Sequence, residues 1–402
     1  MLKRLLKPSS IFGLVLCVQM FVLCLFVTGL VPSFTLDAEK VDPIGIVLYF
    51  LFSLAALIVL SSLCRVRGED EGCNDFGPDF VEICDQAKLG AIINFFMLVS
   101  LAGSLYLFVN TIQGYGFVDY VSACISNQVK GSLELQTGPF HLFLIFPMAN
   151  SVLIPLMSGD KWRLPFCGNL LCLVFMATVF GSRILLLECL VCSGIVGCSR
   201  IRLKDDLTLR SLMIGVVTVV LAFLIFATTS GLRDYEFEGY LYTDSPIVWG
   251  VSRILDYPCS TLIYTSNFLE LIMVPGNPLN LFPSLERLGP VAGLLSSTGT
   301  TPFLSEFGKA YYTNLGCFPE LVHKAGLWAA IVGPFVMFCC ARLYASYSRR
   351  ELIGLIFYPF FLYSLCEYWR TFHLGYELVQ VTFVLLFATY FYIRPSRKRN
   401  CS

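Results

Sequence analysis

Charge is scarce in this chain. Lys, Arg, Asp and Glu make up 14% of its 402 residues, where a soluble domain carries about 25%. The formal net charge is zero, which excludes the basic footprint that a nucleic-acid partner needs. Histidine is nearly absent, at three residues. No glycine-rich loop of the phosphate-cradling kind is present. The seventeen cysteines mostly sit inside apolar runs, where a thiol behaves as a small hydrophobe, and they form no zinc-type spacing in a polar segment. Nothing in the sequence therefore calls for a metal or a cofactor.

What fills the chain is apolar surface. Hydrophobic residues reach 56% and mean hydropathy is +0.73. They come in long unbroken runs, not in amphipathic stripes, which marks an all-α polytopic membrane protein. The runs predict about ten transmembrane helices, near 10–33, 43–64, 89–110, 139–157, 164–180, 184–198, 210–230, 326–345, 351–366 and 374–393. The basic start MLKRLLK resembles a signal peptide, but the run behind it is long enough to span and shows no small-residue cleavage site, so a retained first span is expected.

The basic residues test this count. With ten spans, nineteen of the twenty-eight Lys and Arg fall on one side and nine on the other, five of those nine in a single long loop. By the positive-inside rule both termini face the cytoplasm and the long loop faces outward. Three blocks follow: a membrane domain at 1–230, a large outward loop at 231–325, and a membrane domain at 326–402 with a basic cytoplasmic end.

The loop carries eight of the nineteen prolines. A connection of this length tends to be functional. Ile247–Met273 reads as two short amphipathic helices broken at Pro258, because proline removes a helix hydrogen bond and clashes with the preceding turn. Thr301-Pro302 reads as an N-cap and first helical position. Such helices would lie along the membrane surface. Cys124, Cys259 and Cys317 all fall on the outward side and permit one disulfide, without a fixed pairing. His141, His323 and His373 fall there too.

The run Leu164–Cys198 has basic flanks at both ends, so it must cross twice and turn near Gly181-Ser182-Arg183. Each arm is too short to cross fully, at about 1.5 Å per residue against about 30 Å of hydrocarbon. The turn, and Arg183 with it, is expected below the outer surface. An arginine there costs about 2.5–3.5 kcal/mol on insertion scales. It either snorkels to the headgroups or faces a ligand.

The hairpin FMATVFGSRILLLECL, the long outward loop and the close of that loop, FLSEFGKAYYTNLGCFPELVHKAGLWAAIVGPFVMF, together resemble the oligosaccharide repeat unit polymerases, the Wzy-type O-antigen and capsule polymerases of bacterial inner membranes. The family's arginine-to-glycine spacing has a counterpart in Arg183 and Gly194, although Gly194 falls within a span and not in a loop. The resemblance implies a GT-C-like fold and a metal-independent glycosyltransferase without a cofactor. Its partners would be undecaprenyl-pyrophosphate-linked oligosaccharides, membrane lipid and a chain-length regulator protein. The leaving pyrophosphate needs cations, and arginine binds phosphate oxygens bidentately. Arg183 and Arg253 are the first candidates, then Arg233, Arg287 and Arg370. The acceptor hydroxyl needs a base. Glu306 and His323 are the candidates, with Asp256 behind them. An O-antigen ligase, or a flippase for lipid-linked oligosaccharides, would share much of this architecture.

Overall fold

The computed structural model describes residues 6–28, 41–65, 83–115, 143–179, 183–199, 244–269, 276–283 and 315–395. Within helices, the side chains of residues 26, 65, 110–115, 177–179, 183–184 and 252–260 also lie outside the description. The described residues form helices and contain no strand. In chain order these are α1 (Pro8–Val27), α2 (Pro43–Arg65), α3 (Gln86–Tyr115), α4 (Ile145–Leu153), α5 (Arg163–Val179), α6 (Arg183–Cys198), α7 (Pro246–Ser266), α8 (Cys317–Ala325), α9 (Ala329–Ser348), α10 (Leu352–Cys366) and α11 (Glu377–Ile393).

The helices fall where the apolar runs predict them, apart from the run at 210–230, which lies outside the described residues. Among the described residues four stretches are long and apolar enough to cross a membrane: Pro8–Leu25, Pro43–Cys64, Gln86–Val109 and Cys317–Ser348. The other apolar helices are shorter. Large side chains such as Leu14, Phe21, Leu98, Leu105 and Phe335 stand more than half exposed on these helices. That much uncovered apolar surface suits a bilayer as solvent. Hydroxyls within the helices turn back onto their own backbone: Ser100 donates to the Phe96 carbonyl at 2.7 Å and Thr382 to that of Leu378 at 2.6 Å. Such bonds satisfy a polar group where water is absent. The protein is therefore a helical, membrane-embedded one.

The chain divides into two compact units. The first comprises Met1–Arg67, Leu203–Ala341 and Ser364–Glu377. Here α2 starts on an Asp42 cap, whose carboxylate accepts from the Ile44 and Gly45 amides at 3.0 and 3.1 Å, with Pro43 at the first helical position. α1, α2 and α7 pack on one another, and α8 packs on α7 and on the 3₁₀ turn Pro278–Leu281. Phe268 meets Phe318 edge-on at 4.9 Å, and Phe318 stacks on Phe52 at 6.2 Å.

One expectation is corrected here. α7 is a single helix of 21 residues that runs through Pro258, not two short helices broken there. Ser245 caps it and Pro246 opens it. Its last residues and the two that follow it, Thr261 to Phe268, are buried. A proline inside a helix costs about 3 kcal/mol, and the burial of these eight consecutive residues, where the helix packs on α1 and α2, offsets that.

The second unit comprises Gly68–Arg202, Arg342–Tyr363 and Leu378–Ser402. α3 packs on α4 and α5, and α6 packs on the same two. α5 and α6 are the two arms of the hairpin, 17 and 16 residues long, in contact with each other. Polar side chains tie the elements. The Asn169 amide donates to the Pro147 carbonyl at 3.0 Å, Ser193 to that of Ser151 at 2.6 Å, and the Tyr347 hydroxyl to that of Ile195 at 2.6 Å.

Candidate functional site

Among the described residues of the first unit, two partly buried ion pairs lie where α8 meets the turn segment 367–376. Two backbone bonds join them. The Gly316 amide donates to the Arg370 carbonyl at 2.9 Å and the Cys317 amide to the Tyr368 carbonyl at 3.0 Å. Gly316 has φ +90, a conformation that L side chains rarely adopt, and a Cβ there would press on the Thr265 hydroxyl at 3.1 Å. That glycine lets α8 begin flush against the segment.

α8 then projects Glu320 and Lys324, four residues apart and so on one face. The Lys324 ammonium donates to Glu320 Oε1 at 2.7 Å. The other carboxylate oxygen, Oε2, accepts from the Thr371 hydroxyl at 2.6 Å and from the Phe372 amide at 2.8 Å. The Tyr376 hydroxyl lies 3.1 Å from Thr371 Oγ1. Since Thr371 has one proton and gives it to the carboxylate, Tyr376 is the donor in that pair. The Tyr376 ring is partly exposed. Its hydroxyl end is withdrawn from water and lies near the Glu320 charge, and both effects raise its pKa above 10.0.

A second ion pair sits on the segment itself, with Arg370 donating to Glu367 at 3.2 Å and both side chains at most 15% exposed. His323, on α8, and His373, on the segment, are buried. His373 meets the Tyr376 ring edge-on at 5.3 Å. Behind the segment, Tyr368 reaches down between α1 and α2. It touches Phe12 edge-on at 4.7 Å, stacks on Tyr49 at 6.3 Å, and its hydroxyl lies 3.3 Å from Ser53 Oγ. Burial, with Tyr49 and Cys317 nearby, pushes the Tyr368 phenol well above its ordinary value. Tyr49 in turn donates to Gln19 Oε1 at 2.9 Å.

The site thus holds two cations, each neutralised by a carboxylate on its own element. Glu320 is fully engaged as an acceptor and acts as an organiser, not as a free base. An arriving phosphate would have to draw Lys324 or Arg370 from its partner.

Of the residues singled out from sequence, His323 and Arg370 come onto these two joined elements. Arg233, Arg287 and Glu306 lie outside the described residues, as do the side chains of Arg183, Arg253 and Asp256. The Gly181–Ser182 turn and the helix expected after Thr301-Pro302 lie outside them too. Cys317 is a free, buried thiol, while Cys124 and the Cys259 side chain are not described. Sequence reasoning missed Glu320, Lys324 and Thr371. The signal for the first two was their spacing of four just after a glycine. No local signal marks Thr371. Among the described residues no group of His, Cys, Asp and Glu is arranged to hold a metal.

Comparison with known proteins finds no matching family model, no matching curated protein and no matching solved structure.

Proposed function

We propose that this protein is a glycosyltransferase of the bacterial inner membrane. In this reading it polymerises undecaprenyl-pyrophosphate-linked oligosaccharide repeat units into O-antigen or capsular polysaccharide on the periplasmic face. The observation that carries the reading is the pairing of α8 with segment 367–376, which brings His323 and Arg370 onto two hydrogen-bonded elements beside Lys324. The basic bias of the sequence supports an outward position for these elements, with both termini cytoplasmic.

The reaction has simple needs. A hydroxyl of the acceptor unit attacks the anomeric carbon of the donor glycan. The carbon–oxygen bond to pyrophosphate breaks, the hydroxyl proton passes to a base, and the lipid pyrophosphate leaves with its added charge. In this reading Lys324 and Arg370 supply cations for that charge, and His323, on the same helix as Lys324, is a candidate base. Arg183, Arg253, Arg233 and Arg287 would complete the pyrophosphate site, and Glu306 is the second candidate base. A chain-length regulator would act on the same complex.

Deletion of the gene tests this. A strain that attaches single repeat units but no longer chains identifies a polymerase. Loss of all attached glycan identifies a ligase instead. Scrambling of lipid-linked substrate across vesicles, without any new glycosidic bond, identifies a flippase and overturns the reading.

A further inference from the structure

A cavity of about 260 Å³ lies in the second unit, lined by Ile83, Arg349, Arg350, Glu351, Tyr390 and Arg394 among others. Its charge is one-sided. Among the described residues that line it, three are arginines and one is a glutamate. That carboxylate, Glu351, is already held by Arg349 at 2.7 Å. Arg394 lies over the Tyr390 ring at 6.0 Å. Among these described residues Arg350 and Arg394 are the surplus charge.

The backbone singles out the same place independently. α9 ends in a Schellman turn: the Arg350 amide donates to the Tyr347 carbonyl and the Glu351 amide to that of Ser346, both at 2.9 Å. In that turn the residue after the cap takes a left-handed conformation, and glycine is the usual occupant. Here it is Arg350, at φ +57, the one non-glycine residue with positive φ among the described residues. A strained arginine where glycine would sit without strain points to a use for its side chain. The neighbouring arginines belong to the basic set expected at the cytoplasmic face, where anionic headgroups line the leaflet.

We propose that this cavity binds the phosphate group of an anionic ligand, with Arg350 and Arg394 donating to its oxygens and Tyr390 forming one wall. Guanidinium forks suit a phosphate, whether diester or monoester. A phospholipid headgroup and free phosphate share this chemistry.

The test uses full-length protein in neutral detergent, titrated separately with fluorescent phosphatidylglycerol and with inorganic phosphate. Arg350→Gly and Arg394→Gln remove one donor each. Arg163→Gln is the control, since Arg163 is an exposed arginine paired with Asp160. The proposal expects saturable binding of at least one probe, weakened about tenfold by either pocket variant and unchanged in the control. Arg350→Gly relieves the left-handed strain, so its melting temperature is expected to hold or rise, which separates lost binding from lost fold. Lipid binding that inorganic phosphate does not displace assigns a headgroup. Phosphate binding without lipid binding, lost in the same two variants, assigns free phosphate. Equal binding of both probes by wild type and the pocket variants, equal weakening in the control, or no saturable binding of either probe overturns the proposal.

Discussion

Thr371 donates its hydroxyl proton to Glu320 at 2.6 Å, across a separation of 51 positions. With the Phe372 amide on the same carboxylate oxygen, this bond clamps segment 367–376 onto α8. The clamp makes Glu320 the residue whose loss should matter most locally.

Glu320→Gln keeps an amide oxygen for Thr371 and Phe372 but surrenders the charge opposite Lys324. Glu320→Ala loses both and leaves Lys324, a quarter exposed, without its partner. Breaking a buried pair from one side costs about 3–5 kcal/mol, and the remaining exposure lowers that to about 2–3 kcal/mol. Glu320→Gln should cost about half as much. Thermal unfolding of the purified variants checks the order Ala, then Gln, then wild type. Equal melting temperatures for all three would show that the clamp contributes nothing.

The apolar helices were legible in the sequence because burial in lipid demands long apolar runs, and a run of that kind has few other structural outcomes. The α5–α6 hairpin was legible because basic residues flank it on both sides. α7 was misread at Pro258, since a proline's local cost is visible in sequence but the packing of Thr261–Phe268 that outweighs it is not. The Glu320–Thr371 clamp was illegible for a related reason. It joins two segments by hydrogen bonds, and hydrogen bonds between distant positions leave no periodic trace. Glu320 stood in the same stretch as His323 and looked like one more scattered charge.

Two glycines separate close approach from backbone freedom. Gly276 has a Cβ position that would fall on the backbone of Ala325 and Gly326, which cannot move aside as a side chain can. Gly159, at φ +61, has nothing within 4 Å of its own. Gly159→Ala should cost only the left-handed penalty of about 1–2 kcal/mol. Gly276→Ala should cost more, at about 3 kcal/mol, because the turn at 276–281 must separate from the end of α8. Comparing the two unfolding temperatures checks this. A milder effect at Gly276 would mean that the turn can shift freely.

Glu351 links the α9–α10 turn to pH. Partial burial raises its pKa, but hydrogen bonds from Arg349 and Ser346 and the Arg349 charge more than offset that, so the folded-state value lies below 4.5. A carboxylate of this kind stabilises the fold fully above about 4.5 and loses that contribution as pH falls through the lower folded value. The side chain is 45% exposed, so solvent screening keeps the effect small. Melting curves between pH 6 and about 3 should show a steeper loss of stability in wild type than in Glu351→Gln. Parallel curves would remove the pair from the account.

Arg370 carries the sharpest test, because its structural and chemical roles predict opposite outcomes in a double variant. Arg370→Ala removes the cation that pairs with Glu367, whose side chain is 9% exposed, at a cost of about 3 kcal/mol. Arg370→Ala alone should therefore lower both stability and polymer length, whichever role is real. Adding Glu367→Ala removes the carboxylate of the same pair, and stability should recover part of the loss. If Arg370 only neutralises Glu367, polymer length in cells carrying the double variant recovers with it. If Arg370 meets the leaving pyrophosphate, the double variant folds and still makes short chains, and Arg370→Lys restores length only in part because an ammonium lacks the bidentate fork. Full-length polymer from the double variant would remove Arg370 from the reaction and leave it a structural ion pair.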